Sequence, residues 1–257
     1  RRILERALSR EVITPGITTG EDVAWWVQER VLEAGLGSSF GLTRPIVIHS
    51  AVAEPQEYRS STYAFQRGDL LQFDTGVKYL NFGTDMKRNA YLLREGETAL
   101  PEDIRHAWDE GRRARDIMRR NIRTGHTARD TLAVVVAALE AEGFVYTPFV
   151  NFGDIDRQIV ESFDQPNVTG ISIDCHVVGN TGNSQVAVGP SFAPFRELRA
   201  DLMIQSNNIF SFEFITHTAL PSFGNRRLRI NFEDNVIVTN QGVELLYPRN
   251  ERILLIR

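Results

Sequence analysis

The sequence predicts an α+β fold in a single domain over residues 1–257, and three observations point there. Helix-period segments gather near the start and in the middle of the chain. Short strand-like runs and turns dominate from Val145 onward, and no βαβ unit repeats. At 257 residues the chain is long enough to bury a sizeable core, and 42% hydrophobic with 24% charged residues excludes wholesale disorder. A net charge of −4 with no basic block argues against nucleic acid or an anionic membrane as partner. The single cysteine, Cys175, excludes an internal disulfide framework and any CxxC pair. No apolar run approaches the ~18 residues of a membrane span, and residues 1–30 are not expected to act as a signal peptide. A cytoplasmic location is therefore expected if no signal precedes residue 1. The first residues are Arg-Arg-Ile, not Met, so a processed product or a fragment is expected.

Residues 1–12 read as a helix, with Ile3, Leu4, Ala7 and Leu8 on one stripe. Thr14-Pro15-Gly16 interrupts it, and Thr18, Thr19 and Gly20 offer caps for a helix from Glu21 to about Glu33. Gly35, Gly37 and Gly41 end that helix without forming a dinucleotide fingerprint, since no strand precedes them. Strand-like runs follow over Asp69–Tyr79 and Asn89–Leu93. Pro101 opens a long amphipathic helix whose Ile104, Trp108, Ile117 and Met118 face one way. Its Arg112, Arg113, Arg115, Arg119 and Arg120 form an expected solvated face. Thr127 caps a further helix reaching Gly143. Ile171–Val178, Ile209–Thr218, Arg229–Thr239 and Ile253–Ile256 then fit β-structure.

Acidic residues inside apolar strand-like runs are the informative anomaly. Asp74 lies in Leu-Leu-Gln-Phe-Asp-Thr-Gly, Glu213 in Ile-Phe-Ser-Phe-Glu-Phe-Ile, and Glu233 in Arg-Ile-Asn-Phe-Glu-Asp-Asn-Val. A buried carboxylate is costly unless it is paired, hydrogen-bonded or bound to a metal. With Asp85 after a glycine turn and His176 beside Cys175, the set reads either as separate satisfied polar groups or as ligands converging on a cation. Phe-Asp-Thr-Gly also matches the catalytic loop of aspartic proteases. That mechanism needs a second such loop, or a short all-β protomer that dimerises, and this chain has neither.

Phe73-Asp74-Thr75-Gly76 followed by Thr84-Asp85-Met86-Lys87-Arg88 resembles the Asp-x-Gly…Asp-x-Thr-Arg signature of the pita-bread metallopeptidases. These include methionine aminopeptidases, Xaa-Pro aminopeptidases, prolidases and creatinases. The two aspartates stand 11 residues apart, as in the family. Cys175-His176-Val177-Val178-Gly179 is similar to the family's ligand-histidine segment, Phe212-Glu213 to its next ligand, and Phe232–Thr239 to its final Glu-Asp-x-Val-x-Val-Thr motif. The similarity runs in order along nearly the whole chain and is nearest to Xaa-Pro aminopeptidase-like members.

The resemblance implies a pita-bread α+β fold and a dinuclear site of Asp74, Asp85, His176, Glu213 and Glu233 holding two divalent ions: Mn, Co, Zn or Fe. In the family pattern Asp85 and Glu233 bridge, Asp74 chelates one ion, and His176 with Glu213 binds the other. Glu213 is also expected to shuttle protons. A hydrolase acting on a peptide, dipeptide or amide-like small molecule follows, with a homodimer as the family's common assembly. Residues 1–257 are expected to be the catalytic domain alone, without the N-terminal domain of longer relatives. Rival readings are a lyase or non-peptide C–N hydrolase on the same fold, or a non-catalytic binding module.

Departures from the pattern bear on the reaction. The family's second histidine, seven residues after the ligand histidine, is Asn183, which cannot accept and release a proton near neutral pH. The substrate-carboxylate arginine of prolidases is Asn231, and the usual threonine before Arg88 is Lys87. Two other histidines are expected near the chemistry. His49 lies 25 residues before Asp74, near where the family places an active-site histidine. His217, four residues after Glu213, shares its face by strand alternation and reads equally as a supporting or a catalytic group. His106 and His126 read as incidental, and Cys175 as a buried small apolar residue.

Overall fold

A computed structural model describes residues 1–148, 168–179, 189–224 and 226–257. The helices are α1 (Arg2–Ala7), α2 (Gly20–Glu33), α3 (Pro55–Tyr58), α4 (Glu102–Asn121) and α5 (Ala128–Ala141). The strands are β1 (Gly37–Ser38), β2 (Ile46–Ser50), β3 (Asp69–Thr75), β4 (Val77–Tyr79), β5 (Phe82–Gly83), β6 (Met86–Leu92), β7 (Val145–Tyr146), β8 (Gly170–Ile173), β9 (His176–Val177), β10 (Ile209–Leu220), β11 (Arg226–Thr239), β12 (Gly242–Leu245) and β13 (Leu254–Ile256). They gather into two compact units. The first takes in Arg1–Glu102 and Asn250–Arg257, the second Asp103–Gly179 and Ala187–Arg249. Among the described residues, no helix is long and apolar enough to cross a membrane.

In the first unit, α2 starts where the sequence places its cap. Thr19 accepts from the Asp22 amide, and the Asp22 carboxylate accepts from the Thr19 amide at 2.8 Å, a reciprocal capping box. A four-stranded sheet in the order β13-β6-β3-β2 carries the chemistry-bearing residues. Alternation along β3 and β6 separates its faces. Leu71, Phe73, Ala90 and Leu92 are fully buried on one, while the register sets Gln72 opposite Asn89 and Asp74 opposite Lys87 on the other.

The Asp69–Tyr79 run is not one strand. It breaks at Gly76, and Val77–Tyr79 joins a separate three-stranded sheet, β1-β4-β5. A Cβ at Gly76 would lie 2.0 Å from the Thr84 carbonyl oxygen, so close backbone approach demands glycine there. Helix α1 is likewise shorter than expected, ending at Ala7.

In the second unit, β10 and β11 pair as a long antiparallel hairpin with Glu213 directly opposite Glu233. Strands β8 and β9 both pair with β10, so the expected Ile171–Val178 run is split around Asp174 and Cys175. One face of the hairpin is aromatic. The Phe214 and Phe232 rings stack at 5.1 Å, and Trp108 of α4 stacks on Phe232 at 4.4 Å. Gly111, one turn on from Trp108, lets the helix sit against that ring, since a Cβ there would lie 2.0 Å from Phe232. The predicted apolar stripe of α4 is buried throughout, but its arginine face is not uniformly solvated. Arg115 is only 3% exposed, because it falls between Ala114 and the buried Ile117–Met118 pair, and it lies 3.5 Å from Asp116.

Candidate metal centre

The opposite face of the second unit's sheet is polar and buried. His176 on β9 stands opposite Ser211 on β10, and Glu213 opposite Glu233, so alternation places all four on one side. His176, Glu213 and Glu233 are 6%, 5% and 2% exposed. His176 Nε2 lies 3.7 Å from Glu213 Oε2. Asp174, His176 and Glu213 each offer one ligand atom, all within 4.8 Å of one another.

The supporting hydrogen bonds follow from the same register. The Asn231 amide donates to Glu213 Oε1 at 2.8 Å from the diagonal position on β11. The Ser211 hydroxyl donates to Glu233 Oε1. The Asp174 backbone N–H donates to the Glu213 carbonyl at 3.0 Å, and Arg196 Nε lies 3.2 Å from Asp174 Oδ1. Three buried carboxylates beside one imidazole form a donor set suited to a divalent cation, whose charge offsets the cost of burying them.

His217 lies further along this face, 1% exposed. Its Nε2 is 3.1 Å from Ser172 Oγ, and that hydroxyl donates to the Thr147 carbonyl at 2.6 Å. With the Ser172 proton committed, His217 Nε2–H is the donor, which fixes the tautomer. Burial first, then the nearby Arg229 and Arg227 charges, push its pKa down to about 3, so the ring is neutral at ordinary pH. Cys175 is fully buried; its Sγ lies 3.3 Å from the Glu213 carbonyl, and burial raises its thiol pKa well above the ordinary value.

The first unit holds the remaining expected residues. Asp74 lies near the end of β3, and Lys87 Nζ approaches Asp74 Oδ2 at 3.0 Å. Asp85 precedes β6 and is half-buried. His49 on β2 pairs with Leu70 just past an irregularity in the ladder and is also half-buried. Asn183 lies outside the described residues. His106 and His126 are exposed, in keeping with an incidental place.

Sequence reasoning passed over Asp174, Ser211 and the contact from Asn231 to Glu213. Asp174 carried the same signal as the others, an acidic residue in a strand-like run two positions from His176. The partners Ser211 and Asn231 become visible only once the register of β10 against β9 and β11 is known.

Fold and site geometry together define a metallopeptidase-type scaffold. The sequence profile of Metallopeptidase family M24 matches residues 1–240, and the chain belongs to that family with its α+β pita-bread fold. Similar solved structures include the X-Pro aminopeptidase of Thermotoga maritima, at 20% identity and TM-score 0.64, covering 99% of this chain and 59% of that one. Dipeptidase PepE of Mycobacterium ulcerans matches at 20% identity and TM-score 0.60, covering 99% and 56%. The prolidase of Pyrococcus horikoshii matches at 17% identity and TM-score 0.62, covering 98% and 61%. The chain thus spans about three-fifths of the length of these relatives. No curated protein sequence matches it significantly.

Proposed function

We propose that the chain is a metal-dependent hydrolase of a peptide, dipeptide or amide-like small molecule, similar to Xaa-Pro aminopeptidases and dipeptidases. The observation that carries this is the buried Asp174–His176–Glu213 cluster, with Glu233 across the hairpin, in a chain of family M24. A divalent cation there would supply Lewis-acid polarisation of a carbonyl and would acidify water toward neutrality. His176, Glu213 and Glu233 would hold it beside Asp174, with Asp74 and Asp85 completing the set that the motifs assign. Glu213 is the proton-handling carboxylate, because the Asn231 amide fixes one of its oxygens and leaves the other toward His176. His217, neutral and tied to Ser172, positions the sheet face and carries no charge to the substrate.

Asn183 narrows the reaction. At the motif position of the family's second histidine, its amide cannot accept and release a proton, and the resemblance implies a loss of about two to three decades in rate. Wild type assayed with manganese or cobalt, with and without chelator, on a panel of Xaa-Pro dipeptides, N-terminal Met peptides and simple amides tests both points. Weak, chelator-sensitive cleavage that rises in Asn183→His is expected. Ordinary peptidase rates in wild type would remove the claim of altered chemistry, and chelator-insensitive turnover would remove the metal.

A further inference from the structure

The family pattern asks Asp74 for one cation of a pair, and in this chain that carboxylate already meets one. Asp74 and Lys87 stand directly opposite in the β3–β6 ladder, and Lys87 Nζ lies 3.0 Å from Asp74 Oδ2. The Lys87 side chain is 7% exposed, so its ammonium is held largely out of water, a costly placement that a facing carboxylate offsets. At this position the motif usually carries a neutral threonine, and the substitution brings a full positive charge to the ligand face of the sheet.

We infer that the Lys87 ammonium stands in for the divalent cation that Asp74 would otherwise bind, so that the chain holds one divalent ion, on the His176–Glu213 side, instead of two. This rests on the metal-dependent reading above. Geometry favours it. A dication on Asp74 would lie within a few ångströms of Nζ, and the two like charges repel. Chemically, a single ion retains carbonyl polarisation and water activation but loses the clamp that a metal pair places on both reacting oxygens.

The test is a metal count on the full chain with manganese alone as probe. Wild type, Lys87→Thr and Lys87→Arg are dialysed against Mn²⁺, freed of loose metal and analysed for bound manganese. Electron paramagnetic resonance then distinguishes an isolated ion from a spin-coupled pair. The expected result is one isolated Mn²⁺ per chain in wild type and in Lys87→Arg, and a coupled pair in Lys87→Thr, whose second-ion affinity rises by about a hundredfold or more. Two tightly held ions in wild type would overturn the inference while leaving the metal-dependent reading in place, and this arm decides even if Lys87→Thr does not fold. One ion in a folded Lys87→Thr would overturn it as well, by showing that Lys87 is not what excludes the second. No bound manganese in any of the three would remove the metal-dependent reading and the inference with it.

Discussion

The carboxylates of the two units meet different donors. In the second, Glu213 accepts from the Asn231 amide and Glu233 from the Ser211 hydroxyl, both neutral, while Asp174 pairs with Arg196. In the first, Asp74 faces the ammonium of Lys87. Neutral donors orient a carboxylate and keep its charge, which suits a site that is to receive a cation. An ammonium at hydrogen-bond distance cancels that charge beforehand. On the proposed reading Glu213 and Glu233 serve a metal, whereas Asp74 faces an ammonium.

The contrast is broken most severely by removing charge from the second unit. Glu233→Gln keeps the shape of the side chain and its place opposite Glu213 but loses the charge. Metal affinity is expected to fall by about ten- to a hundredfold, and metal-dependent turnover by about three decades or more. Titration calorimetry with Mn²⁺ and a chelator-controlled assay check this. Unchanged affinity would make Glu233 a structural residue only.

A smaller effect is expected from crowding the support of that face. Gly111→Ala drives a methyl into the Phe232 ring, which is stacked between Phe214 and Trp108. The cost should reach about 3 kcal/mol, the upper part of the range for overpacking, and metal affinity should weaken with it, because Phe232 precedes Glu233 on the same strand. Urea unfolding and Mn²⁺ titration of the variant measure both. An effect on stability without one on metal binding would separate the aromatic face from the site.

The smallest effect concerns pH. The ordinary pKa of His217 is about 6.5, and its folded value is about 3. Between these values the unfolded chain binds a proton that the native chain does not, so stability falls as pH drops through this window, by about 1.4 kcal/mol per unit. Above pH ~6.5 the group contributes no slope. Urea unfolding in chelator near pH ~7 and near pH ~5 should show wild type losing about 2 kcal/mol more than His217→Gln. Equal losses would mean that His217 takes a proton in the folded state.

Much of this was legible in the sequence because each signal was local. Thr19 and Thr127 announced their helices by cap chemistry, and the apolar stripe of Ile104, Trp108, Ile117 and Met118 gave the buried face of α4. His176, Glu213 and Glu233 stood out as polar residues in apolar runs, and the structure sets them on one buried face. What escaped depends on register. Nothing local says that Asn231 meets Glu213 from the facing strand, or that Lys87 lies opposite Asp74 in place of pointing to solvent. Gly76 ends β3 for a similar reason, since the obstacle is the backbone of Thr84, eight residues away. Arg115 was misjudged because composition gives a helix face its polarity, while packing decides which arginine is covered.

On the proposed reading, the His176–Glu213 face of the second unit receives a divalent cation. A crystal structure of the full chain grown with Mn²⁺, with anomalous data collected at the manganese edge, tests it most directly. An anomalous peak within coordination distance of His176 Nε2 and Glu213 Oε2 is the predicted result, about 2.0–2.2 Å from each ligand atom. A map with no peak at those atoms, or with manganese bound only elsewhere on the chain, would contradict it.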